Sequence, residues 1–107
     1  MVENGKLYLC EDYSLLLYPD PETAAATEST AAATVAIATA PSASTARADA
    51  AAAYWTRKLG KSVSYTDKNI PLLILNNREK YVEVLAGDRK GWIIFNDYLN
   101  IKEIDYA

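Results

Sequence analysis

Side chains able to do chemistry are sparse in this chain, and those present are spaced for folding rather than for reaction. Histidine is absent from all 107 residues, which removes the commonest general base and the commonest metal ligand. The lone cysteine, Cys10, precedes Glu11 and Asp12, whose charges raise a thiol pKa rather than lower it. A structural, buried cysteine is therefore expected. Glu11 with Asp12, and Asp20 with Glu22, are carboxylate pairs by residue type, but the first suits a polar turn and the second the start of a helix. Asp12 and Asp20 lack calcium-loop spacing, and glycosidase chemistry needs a concave site that a domain this small rarely supplies. Gly87-Asp88-Arg89-Lys90-Gly91 has no following helix and lacks the Gly-Lys-Ser/Thr ending of a phosphate loop. The expectation is a protein that is not an enzyme and carries no metal or cofactor.

The eight tyrosines say more. Tyrosine offers a large contact area at little entropic cost, so interfaces use it often. Tyr8, Tyr13, Trp92 and Tyr98 are the candidate protein-contact patch, with Tyr54 and Trp55 as a further aromatic pair. The same residue types also serve small β-barrels as mortar between surface and core, so both readings of them stay open.

The elements that must position these residues begin with residues 81–99, YVEVLAGDRKGWIIFNDYL. Residues 81–85 alternate, with Val82 and Val84 on one side and Tyr81, Glu83 and Leu85 on the other. Residues 87–91 read as a polar reversal with a glycine at each end, and residues 92–95 as an apolar strand. A β-hairpin with a loop longer than two residues follows from this. Residues 6–10 and 14–18 are strand-like, with Leu7 and Leu9 on one face and Leu15 and Leu17 on one face. Residues 61–66 and 71–75 are short strands, residues 76–79 a turn, residues 96–98 a single 3₁₀ turn, and residues 101–104 a closing strand. Short strands at close spacing predict a small β-barrel or sandwich.

Composition shifts abruptly at Pro19. Most residues from 23 to 53 are Ala, Thr or Ser, which reads either as a flexible linker or as helix, and the punctuation favours helix. Asp20 is an N-cap residue, Pro21 suits the first helical position and Glu22 the positive end. A first helix is predicted to about Thr39, before Pro41. A second spans residues 47–59, capped by Ser44 or Thr45 and ended by Gly60, with Arg57 and Lys58 at its negative end. Ala48, Ala52, Trp55 and Leu59 share one stripe, which would dock Trp55 and Leu59 on the sheet.

Bulk properties narrow the partners. A formal charge of −3 argues against a nucleic-acid partner, which demands a basic face. The longest low-polarity stretch, residues 31–40, is too short and threonine-rich for a membrane. The start MVENGK has no apolar run behind it and is not expected to be a signal peptide. A single cysteine allows no internal disulfide. A soluble cytoplasmic protein, or a virion component made in the cytosol, is the expectation.

A strand with valines, a polar turn, Gly91-Trp92-Ile93, a spacer, Tyr98-Leu99 and a final strand at residues 101–104 together resemble the SH3-like barrels, and among them the bacterial SH3 family. The resemblance covers residues 62–104 and, loosely, residues 6–18. It implies one mainly β domain over residues 1–107, a small SH3-like β-barrel whose first long loop carries residues 20–60 as an Ala-rich helical hairpin. The spacer from Ile93 to Tyr98 is longer than the family's by about one residue. The peptide groove of the eukaryotic members is not matched. Tyr98 fits its last tyrosine and Leu7-Tyr8 echoes its first motif, but Ile94 stands near where its proline would be. The only tryptophan outside the barrel's Trp92 is Trp55, in the helix. Recognition of polyproline peptides is therefore not expected. Three roles remain on these grounds. The leading one is a non-enzymatic adaptor or assembly protein that binds another protein or its own copies as a homo-oligomer. The others are a structural part of a phage or similar particle and a cell-wall-binding module.

Overall fold

The computed structural model of the chain describes residues 2–10, 14–30, 45–67, 69–78, 80–95 and 101–104. They form, in chain order, β1 (Leu7–Cys10), β2 (Leu16–Leu17), α1 (Pro21–Thr30), α2 (Thr45–Leu59), β3 (Ser64–Tyr65), β4 (Pro71–Arg78), β5 (Tyr81–Ala86), β6 (Arg89–Ile94) and β7 (Ile101–Glu103). The protein is mainly β, with helices between β2 and β3. The expected 3₁₀ turn at residues 96–98, the end of the first helix near Thr39, and Tyr13 and Tyr98 lie outside the described residues.

Five strands make one sheet in the order β6-β5-β4-β1-β7, antiparallel throughout, and β2 pairs with β3 in a separate ribbon. Among the described residues the ribbon meets the sheet through one backbone bridge. Tyr18 and Trp92 exchange both backbone hydrogen bonds at 2.8 Å, which places the end of β2 along the outer edge of β6. A closed barrel was the expectation from sequence. Among the described residues the sheet is instead open, with β2 rather than β7 against β6.

Two strand boundaries differ from the sequence reading. The β5–β6 hairpin turns on Gly87-Asp88 alone, since Ala86 pairs with Arg89. Gly87 has φ +65°, and a glycine with positive φ at the first central position marks a two-residue hairpin turn whose twist matches the strands. Arg89, Lys90 and Gly91 therefore belong to β6 rather than to the loop. Likewise Asn76, Asn77 and Arg78 continue β4 instead of turning. A bulge between Ile74 and Asn76 resets the register, and Asn77 and Arg78 then pair with Val82 and Tyr81.

The helix ends follow local chemistry. Asp20 Oδ1 accepts hydrogen bonds from the Thr23 amide at 2.6 Å and the Thr23 hydroxyl at 2.5 Å, the N-cap geometry its residue type favours. Gly60 has φ +67° and its amide donates to the Thr56 carbonyl at 3.1 Å, so α2 ends on the left-handed glycine anticipated.

The core has two parts. One face of the sheet buries Tyr8, Cys10, Leu72, Ile74, Val82, Val84, Ala86 and Ile93 with Val2, Leu15 and Leu17. The second cluster gathers Leu16, Tyr18, Ala24, Ala52, Trp55, Val63 and Trp92. Trp55 docks as its stripe implied and is wholly buried, 0 % exposed. β2 divides the clusters by strand alternation, sending Leu15 and Leu17 to the first, and Leu16 and Tyr18 to the second.

Candidate interaction surface

The opposite face of the sheet is where the alternation departs from rule. An antiparallel sheet with one buried face usually alternates apolar-in and polar-out. Here leucines take several of the outward positions. Register places Leu7 of β1 opposite Leu73 of β4, Leu73 opposite Leu85 of β5, and Leu85 opposite Lys90 of β6. One step along, Leu9 is opposite Pro71 on one side and Lys102 of β7 on the other. Leu7, Leu9, Leu73 and Leu85 are half-buried and Pro71 is exposed. Leu75, at the bulge, is 37 % exposed, the highest value for a large apolar side chain among the described residues. None of these leucines belongs to either core cluster. Adjacent strands lie about 4.8 Å apart, so the row across β1, β4 and β5 spans roughly 10 Å.

Charged groups frame this row. Lys90 is exposed beyond Leu85 at one end of the row, the Ile104 amide donates to the Leu7 carbonyl at the other, and the exposed Lys102 flanks Leu9 in the next row. Glu83, half-buried, has its carboxylate 3.8 Å from Lys90 Nζ. Lys6 sits at the start of β1 and bridges Glu3 at 2.7 Å and Glu103 at 3.2 Å. Hydrogen bonding and charge from Glu3 and Glu103 raise the Lys6 ammonium pKa, and Lys6 in turn lowers that of Glu3.

The same face is already covered at its β6 end. Trp92 lies opposite Glu83 and so shares the face of Leu85. There α1 lies against β6, Ala24 and Trp55 join Trp92 in one cluster, and the Arg78 guanidinium sits 5.3 Å from the Trp92 ring centroid. Arg89 stands over the Tyr65 ring at 5.0 Å and donates to the Tyr65 carbonyl at 2.6 Å, which ties β6 to β3.

Of the aromatic residues singled out from sequence, Tyr13 and Tyr98 lie outside the described residues, and the other four are buried or half-buried. Tyr8 is buried in the first cluster, and its hydroxyl accepts the Glu3 amide at 2.9 Å. Trp92 and Trp55 are buried in the second. Tyr54 is half-buried, edge-on to Trp55 with ring centroids 5.0 Å apart. Cys10 is buried. A shallow concavity of about 330 Å³ lined by Asp20, Glu22, Thr23, Ala26, Leu59 and Lys61 lies where α1 begins and α2 ends, and there Asp20 is already engaged as the helix cap. No group of three or more metal-ligating side chains occurs among the described residues, and no described helix is long and apolar enough to cross a membrane.

The leucine row went unnoticed in sequence, although its signal was there: Leu7, Leu9, Leu73 and Leu85 occupy positions where alternation calls for polar residues. Only the strand pairing collects them on one surface.

The chain matches no protein-family profile, no curated protein and no solved structure.

Proposed function

We propose that this protein is a non-enzymatic interaction module that docks a protein partner on the leucine-bearing face of its sheet. The observation that carries this reading is the Leu7–Leu73–Leu85 row, in register across three strands and outside both core clusters. An apolar patch kept on the surface costs solubility and marks interaction sites when it is contiguous. An SH3-like arrangement is part of the proposal. It is supported by the last strand lying beside the first, by the run of hairpins from β4 to β6, and by the helices sitting in the first long connection. The helices then act as a buttress under Trp92 rather than as the contact element.

Affinity capture from native lysate tests this with three baits: the whole chain, Leu73→Glu, and a chain with residues 21–59 replaced by a short Gly/Ser loop. The expected result is a stoichiometric partner held by the first and lost by the second. A partner held by Leu73→Glu but lost by the shortened chain would move the site to the helices and overturn this reading.

A further inference from the structure

We infer that the occupant of the leucine face is an acidic amphipathic helix of a partner protein. This rests on the proposed docking role and names the chemistry that fits it. The molecule itself supplies the first argument. At its β6 end this same face of the sheet is covered by a helix of the chain, α1, whose Ala24 joins Trp92 in the buried cluster. The half over β1, β4 and β5 continues that surface, and its half-buried leucines lie outside both core clusters. It presents about 10 Å of apolar width across three strands, with a second row at Leu9 and Pro71 one strand repeat away. That footprint matches about two turns of α-helix, roughly 11 Å long and 10 Å wide, whose apolar residues recur at i, i+3, i+4 and i+7.

Charge supplies the second argument. The chain as a whole carries −3, yet the two edges of the leucine patch carry exposed lysines, Lys90 beside Leu85 and Lys102 beside Leu9. Glu83 offsets only the Lys90 side. A partner helix with Leu on one face and Glu or Asp along its flanks brings opposite charge to both edges. A second copy of this chain does not. Stacked face to face about a two-fold axis, it sets the β7 edge with Lys102 over the same edge or over the β6 edge with Lys90, and like charges brought close oppose association. Edge pairing is disfavoured too, because β7 is three residues long and carries an exposed lysine.

Two synthetic 18-residue helical peptides test this, with identical Leu positions and either Glu or Lys at the flanking positions, titrated against the ¹⁵N-labelled full chain. The Glu peptide is expected to bind, with the shifts confined to β1, β4 and β5, and the Lys peptide about three- to tenfold more weakly, as two exposed ion pairs allow. The double variant Lys90→Glu/Lys102→Glu, altered only at exposed positions, is expected to reverse the preference, and Leu73→Glu to remove binding of both. Equal affinity for the two peptides, or shifts on α1 and α2 alone, would overturn the inference. So would concentration-dependent dimerisation lost in Leu73→Glu, or binding to anionic phospholipid vesicles with both peptides inert. Should lysate capture remain sensitive to Leu73→Glu while the peptides fail to discriminate, only the partner's chemistry is overturned. Capture insensitive to that substitution overturns the docking role itself.

Discussion

Gly91 shows how one missing side chain can hold two parts of a fold together. A Cβ at this position would lie 2.8 Å from Leu17 Cβ and 3.1 Å from the Tyr18 carbonyl oxygen. The absence of that carbon lets β2 cross β6 closely enough for the Tyr18–Trp92 bridge. Gly91→Ala should therefore destabilise the chain by about 1–3 kcal/mol through overpacking, measured by urea unfolding. Gly60→Ala meets nothing within 4 Å, but φ is +67°, so its cost is only the left-handed strain of roughly 1–2 kcal/mol. The two also differ in kind: Gly91→Ala should perturb Trp92 fluorescence in the native state and Gly60→Ala should not. Sequence placed Gly91 in a turn because Arg89 and Lys90 beside it are polar. Its real constraint comes from Leu17 and Tyr18, more than seventy positions away along the chain, and no local pattern reports that. Thr56 is a second case. Its single hydroxyl proton has the Ala52 carbonyl at 2.8 Å and the Val63 carbonyl at 3.2 Å within reach, and its oxygen accepts the Val63 amide at 3.0 Å. Thr56→Val keeps the shape and strands the Val63 amide, so a loss of about 1–3 kcal/mol is expected; Thr56→Ser should restore most of it.

At the scale of elements, what was legible is what is encoded locally. Asp20, Pro21 and Gly60 fix helix ends by chemistry within a few residues, and α1 begins and α2 ends where those residues place them. The Asn76–Arg78 stretch reads as a turn by composition, yet pairing with β5 overrides that preference. The leucine face belongs to the same category: each strand showed its apolar outward residues, but only the order β5-β4-β1 makes them neighbours. The cap on α1 gives a pH-dependent expectation. Hydrogen bonds from the Thr23 side chain first, and then from its backbone amide, lower the Asp20 pKa from its ordinary value of 3.8. Because the folded value is depressed, the cap's contribution is fully present above the unfolded pKa and is lost as pH falls through the folded one, below about pH 4. Asp20→Ala should cost about 1 kcal/mol at neutral pH. Asp20→Asn, a good cap that does not titrate, should keep most of that stability and flatten its decline in acid. Urea midpoints taken from pH 2.5 to 7 would check this, and an unchanged acid slope in Asp20→Asn would refute it.

For the whole molecule, the question is whether two apolar clusters amount to one cooperative unit or two. The first cluster holds no helical residue, while the second depends on Ala24, Ala52 and Trp55 from the helices. Taken separately they would melt independently. The strand between them argues otherwise. Leu16 and Tyr18 cannot leave the second cluster without dragging Leu15 and Leu17 from the first, because alternate residues of one extended segment serve both. The ribbon is pinned further by Thr66, whose amide donates to the Leu15 carbonyl at 2.8 Å while its hydroxyl accepts the Leu15 amide at 2.9 Å. Both tryptophans of the chain, Trp55 and Trp92, lie in the second cluster, so fluorescence reports on that cluster alone and far-UV circular dichroism on the sheet and helices together. Coincident urea transitions by the two probes are expected, as for a two-state domain. Leu17→Ala, which empties a site in the first cluster only, should cost about 2–5 kcal/mol and move the fluorescence midpoint as far as the dichroism midpoint. A fluorescence transition left in place by that substitution would mean that the helical part and the sheet fold as separate units, and the buttress under Trp92 would then be an independent attachment rather than part of the scaffold that holds the leucine face.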